Sequence, residues 1–126
     1  MSYGRMLAIL GVVLMLGGCT LRPVMNVSDA PVVVSAGKRA TPDQVRNAIG
    51  NALGWQMTPA GPGLVNGRSA LRDHGANVEI RYTATAFSIV YKDSTNLNYK
   101  DGQIHRNYNG WIENLDRGIR NELNRI

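Results

Sequence analysis

The chain has a single cysteine among its 126 residues, Cys19. No intrachain disulfide can form, and no cluster of thiolates can bind zinc. Whatever follows Cys19 must hold together by packing, with no thiol nucleophile of its own. Charge is also sparse, at 18% of residues, and there is no basic run interleaved with aromatics of the kind that grips nucleic acid. The two histidines, His74 and His105, have no ligand at the spacing of a zinc helix. No glycine-flanked nucleophile elbow occurs. The glycine-rich stretch 61–69 fails as a phosphate loop, because its glycines are wrongly spaced and Arg68 stands where lysine is needed. Asp93-Ser94-Thr95-Asn96 lacks the glycine and distant glutamate of a calcium loop and reads as an Asx-type turn. These absences point to no cofactor, no metal and no standard catalytic set.

What the chain does have starts at its amino end. Arg5 supplies positive charge, residues 6–16 are an unbroken apolar run, and Gly17-Gly18 provide small residues before Cys19. That is the layout of a secretory signal. As a helix, the run covers about 16 Å, roughly half of a bilayer core, so it is too short to span. Leu16-Gly17-Gly18-Cys19 resembles the lipobox of bacterial lipoprotein precursors. The resemblance implies removal of residues 1–18, a diacylglyceryl group on the Cys19 sulfur, and often an acyl group on the new amino terminus. Each buried methylene contributes about 0.8 kcal/mol, and two or more chains anchor firmly. Thr20 stands where lipoproteins kept at the inner membrane carry Asp, so the resemblance implies the periplasmic leaflet of the outer membrane.

Residues 20–40 contain scattered valines and two prolines without helical periodicity. They read as a tether with at most an edge strand over residues 31–35, and a flexible segment of that length reaches roughly 25 Å. The domain is then expected over residues 41–126. Thr41-Pro42-Asp43-Gln44 predicts a capping box with proline at the first helical position. Val45, Ala48, Ile49, Ala52 and Leu53 continue as one apolar stripe, stopped by Gly54. Alternation then predicts strands near residues 55–58, 64–72, 78–82 and 87–91, with a short one at 97–99. The apolar series changes parity between Tyr82 and Phe87, which demands a turn or bulge near residues 84–86. Asp101-Gly102 predicts a hairpin turn. A final helix from about Asn109, capped by Asn107 or Asn109, carries Ile112, Leu115, Ile119, Leu123 and Ile126 on one face. Glu113 with Arg117 and Asp116 with Arg120 make i, i+4 pairs. The expected fold is α+β, an antiparallel meander of about four strands with an N-terminal and a C-terminal helix packed on one face.

The segment from Phe87 to Leu115, with Tyr91, Tyr99, His105, Tyr108-Asn109 and Trp111-Ile112, resembles a group of small proteobacterial lipoproteins to which no activity is attached. A net charge of +5, of which only Arg5 falls in the leader, favours anionic surfaces. Two functional readings follow. In the first, the domain is a non-catalytic interaction module tethered to the membrane through Cys19. Its partner is an envelope protein or an anionic glycan or lipid, not nucleic acid, met by Arg68, Arg72, Arg81 and Lys92 on the polar sheet face. Tyr91, Tyr99, Tyr108 and Trp111, beside Asn96 and Asn98, form a second candidate surface able to grip a sugar or peptide, and His105 is counted among the binding-surface candidates. In the alternative reading, His105 with Asp101 or Asp93 acts as acid and base on cell-wall glycan or peptide.

Overall fold

The computed structural model describes residues 20–126; the leader and Cys19 lie outside the described residues. In chain order the elements are β1 (Leu21–Pro23), β2 (Val27–Pro31), α1 (Pro42–Asn51), β3 (Gln56–Pro59), β4 (Leu64–Leu71), β5 (His74–Tyr82), β6 (Ala86–Thr95), β7 (Gln103–His105) and α2 (Arg106–Leu123). Five strands form one antiparallel sheet in the order β2-β6-β5-β4-β3, and β1 pairs with β7 in a separate two-stranded ribbon. The α+β class expected from the pattern is thus present, with β3 to β6 as the four-stranded meander.

The departure lies in residues 20–40. They are not a free tether, since β1 and β2 fall inside them and are held by sequence-distant partners. β2 closes the sheet edge against β6, with Ala30 opposite Phe87 and Val27 opposite Ile89. Ser28 and Asp29 form a bulge between these pairs. Asp29 takes a left-handed φ of 48°, and its amide donates to Ser88 Oγ at 2.9 Å. The strand also falls four residues earlier than the valine run predicted, because Val32 leaves the ladder after one bond to the Thr85 carbonyl. Pairing is non-local here, so periodicity within 20–31 carries almost no trace of it.

Helix α1 begins as its sequence dictates. Thr41 Oγ1 accepts from the Gln44 amide at 3.2 Å, and Gln44 Oε1 accepts from the Thr41 amide at 2.9 Å. Val45, Ala48 and Ile49 are buried as expected, but the helix ends at Asn51, and Leu53 is 92% exposed. Helix α2 starts three residues before the predicted Asn109. Its N-cap is His105, whose Nδ1 accepts from the Asn107 amide at 3.2 Å. Ile112, Leu115, Ile119 and Leu123 are fully buried. Asp116 and Arg120 pair at 2.9 Å, and the Arg120 guanidinium lies 5.7 Å from the Phe87 ring centroid. The expected Glu113–Arg117 pair does not form; Arg117 reaches Asn114 Oδ1 instead.

Turns resolve the parity problem. Residues 83–86 close the β5–β6 hairpin so that Tyr82 faces Phe87 and Ile80 faces Ile89, keeping both apolar sets on one side. Farther along, Lys92 bulges out of the ladder between the Val78–Tyr91 and Asn77–Asp93 pairs. Asp101 and Gly102, with φ of 52° and 76°, make the predicted two-residue hairpin turn between Lys100 and Gln103. Leu97 is buried, but in a loop and not the expected strand, since Asn96 and Asn98 on either side take left-handed φ.

The two helices and the inward strand residues Val65, Val78, Ile80, Phe87 and Ile89 enclose the core. Gly67 is required there. A Cβ at this position would stand 3.0 Å from Val78 Cγ2 and 3.2 Å from Met57 Sδ. Gly67→Val is expected to cost about 1–3 kcal/mol by overpacking. Gly50→Ala, on the open side of α1 where an added Cβ meets nothing within 4 Å, is expected to gain about 0.5–1 kcal/mol. Urea titration of the two variants checks the opposite signs.

Candidate functional site

With both helices on one side, no element of the described residues covers the other side of the five-stranded sheet. Alternation places Gln56, Thr58, Asn66, Arg68, Asn77, Glu79, Arg81 and Ser88 on it, all half-buried or exposed. Two shallow hollows mark this face. One, of about 470 Å³, is lined by Thr58, Asn66, Arg68, Asn77, Lys92 and Asp93 among others. The second, of about 610 Å³, lies toward the β5–β6 turn and includes Asp29, Leu64, Arg81, Ser88 and Val90.

The charges on this face are unequally satisfied. Arg81 is paired with Glu79 at 3.2 Å. Asp93 accepts from Asn77 Nδ2 at 2.6 Å, so one carboxylate oxygen is engaged inside the sheet. Arg68 and Lys92, which line the same hollow, form no ion pair among the described residues. Two cations therefore share the hollow with one carboxylate, Asp93, which leaves a net positive charge among amides and a hydroxyl. Such a surface can bind a carboxylate- or phosphate-bearing partner.

Arg72 does not join them. It occupies the two-residue β4–β5 turn with a left-handed φ of 58°, about 13 Å of strand beyond Arg68. That turn is fastened by His74, whose Nδ1–H donates to the Asn96 carbonyl at 2.8 Å, and by Asn96 Nδ2, which donates to the Asp73 carbonyl at 2.7 Å.

The aromatic group lies on the opposite side of the sheet and splits by depth. Tyr108 is fully buried and belongs to the core, not to a surface rim. Tyr91 packs edge-on against it at 5.4 Å, and its hydroxyl shares a hydrogen bond of 2.8 Å with Ser94 Oγ. Burial is the main cause that pushes the Tyr91 phenol upward from its ordinary pKa, with the Ser94 bond opposing it. Tyr99 is 48% exposed and stacks on Tyr91 at 4.6 Å. Trp111 sits apart on α2, beside Arg22 and Arg106. One shared tyrosine–tryptophan surface is thus not assembled.

His105 is occupied as a cap. Its Nδ1 holds the Asn107 amide, and among the described residues no ion pair joins its ring to Asp93 or Asp101. Among the described residues no group of three or more His, Cys, Asp and Glu is placed to hold a metal ion. No described helix is long and apolar enough to cross a membrane.

Two asparagines do more than their sequence positions announce. Asn109 was expected to cap α2. Instead its Nδ2 donates to the Pro23 carbonyl and its Oδ1 accepts from the Met25 amide, both at 3.0 Å, clamping the β1–β2 link. Asn26 Oδ1 accepts from the Tyr91 amide at 2.8 Å. The sequence signal for both was only a polar residue near an apolar stretch.

No protein-family model, curated protein or solved structure matches the chain.

Proposed function

We propose that the protein is a lipoprotein of the bacterial envelope, anchored through Cys19, whose domain is a non-catalytic binding module using the uncovered face of its sheet. The leader and the Leu16-Gly17-Gly18-Cys19 motif support the anchor, and Thr20 supports the periplasmic leaflet of the outer membrane. The observation that carries the binding role is the hollow in which Arg68 and Lys92 outnumber the single carboxylate of Asp93 and form no ion pair among the described residues. The partner is an acidic envelope component, protein or glycan. An enzyme built on His105 is the weaker reading, since that imidazole is committed to the helix cap.

The test is affinity capture from detergent-solubilised envelope with the full-length acylated protein. Arg68→Glu combined with Lys92→Glu is expected to lower recovery of bound partner at least about tenfold, the scale of one lost charge-assisted contact. Arg72→Glu, on the remote turn, is expected to leave recovery unchanged. Equal recovery by all three proteins would remove the open face as the binding surface.

A further inference from the structure

The start of the described chain is fixed in space. The Thr20 carbonyl accepts from the Arg106 amide at 3.1 Å, at the first residue of α2. Leu21 is in register with His105, Arg22 with Ile104 and Pro23 with Gln103. The Val24 amide donates to the Gly102 carbonyl at 2.9 Å, and Asn109 clamps Pro23 and Met25. The α-carbon of Cys19 lies one peptide, about 3.8 Å, from that of Thr20. A lipid on its sulfur therefore enters the bilayer beside the β1–β7 ribbon and the first turn of α2, with no slack chain between.

The surface at that spot has matching chemistry. Arg22, Arg106, Asn107, Trp111 and Glu113 line one shallow hollow of about 600 Å³. It presents two guanidiniums, of which that of Arg22 also donates to the Leu21 carbonyl at 3.0 Å, against one carboxylate, so the net charge of the hollow is positive. Arginine forks suit phosphate oxygens, and juxtamembrane basic residues are drawn to anionic leaflets. Trp111 is half-buried against the core, leaving part of its indole accessible, the amphipathic ring that favours the headgroup level. The attached lipid keeps bilayer phosphate at high effective concentration before this face, which a free phosphate or a diffusing protein does not match.

We propose that the surface around Arg22, Arg106 and Trp111 is a membrane-contact face, and that it seats the domain directly on the lipid headgroups in one orientation. This rests on the lipoprotein reading above. The uncovered sheet face then points in a direction set by the anchor and not by a swinging tether.

The test uses the full chain, purified from membranes and reconstituted in vesicles of phosphatidylethanolamine and phosphatidylglycerol, with brominated acyl chains as the quencher. Mass analysis of the amino-terminal peptide first reports whether Cys19 is acylated. In the Trp55→Phe variant, Trp111 is the sole tryptophan, and its emission is expected to fall about twofold on brominated lipid, as for an interfacial indole. Trp111→Phe leaves Trp55, which follows α1. The end of α1 meets α2 at Gly118, about 10 Å of helix beyond Trp111, so little quenching is expected there. Arg22→Glu with Arg106→Glu is expected to reduce the Trp111 quenching. Acylated protein in which both tryptophans are quenched equally, or neither is, overturns the seating while the lipoprotein reading stands. An unmodified Cys19 overturns that reading, and the seating with it.

Discussion

Deleting residues 20–31, so that Cys19 is joined directly to Val32, is expected to abolish cooperative unfolding of the domain. The segment supplies the β2 edge of the main sheet and the β1 half of the ribbon. It also makes the bonds from Met25 and Pro23 to Asn109, from Asn26 to Tyr91, from Asp29 to Ser88, from Val24 to Gly102 and from Thr20 to Arg106. At about 1 kcal/mol net for each bond, before the lost burial of Ala30 and Val27, the deletion removes a sum comparable to the whole stability of a small domain. The single change Asn109→Ala is expected to cost about 1–3 kcal/mol by leaving the Met25 amide and Pro23 carbonyl without their partner. Circular dichroism during urea titration reads both. An unchanged midpoint in the deletion would mean that the segment is the loose tether its composition resembles.

The second large effect concerns Tyr108, where two substitutions are expected to act in opposite directions. The ring is fully buried against Tyr91, and its hydroxyl has no hydrogen-bond partner among the described residues. Tyr108→Ala opens a cavity and is expected to cost about 3–5 kcal/mol. Tyr108→Phe keeps the ring and removes an unsatisfied buried hydroxyl, so a gain of about 1–2 kcal/mol is expected. The same burial, helped by the nearby Tyr91 charge, holds the Tyr108 phenol far above its ordinary pKa of 10.0. An unfolded chain releases this proton near its ordinary value, while the folded protein retains it. The stabilisation is thus complete below about pH 10 and falls above it, by about 1.4 kcal/mol per pH unit, up to the folded pKa. Alkaline melts of wild type and Tyr108→Phe should show a flatter decline in the variant. A destabilised Phe variant would mean that the hydroxyl is hydrogen-bonded after all.

How much of this was legible beforehand depends on the range of the interactions. The α1 capping box, the Asp101-Gly102 turn and the buried faces of β5 and β6 are local patterns, and each was readable from neighbouring residues. The stripe of α2 is equally plain, but the helix starts at Arg106 because His105, rarely a cap, takes the role expected of an asparagine. The strands β1 and β2 were not legible. Their partners lie 55 or more residues away, they are short, and a bulge at Asp29 breaks the alternation that would have signalled them.

The candidate site divides the same way. The polar face bearing Arg68 and Arg81 follows from strand alternation. That Lys92 would bulge out beside Arg68, while Arg72 would be carried off on a turn, depends on register, which residue spacing does not encode. Nearness in sequence groups the tyrosines, and the fold separates them by depth.

Backbone hydrogen exchange over residues 21–31 and their partners tests most directly whether the chain after Cys19 is part of the body. The Val24, Met25 and Tyr91 amides, each held by a bond from this segment or to it, are predicted to exchange as slowly as amides of β5 and β6 and to speed up together in Asn109→Ala. Exchange of Val24 and Met25 at the rate of an unstructured peptide, with β5 and β6 still protected, would contradict the account.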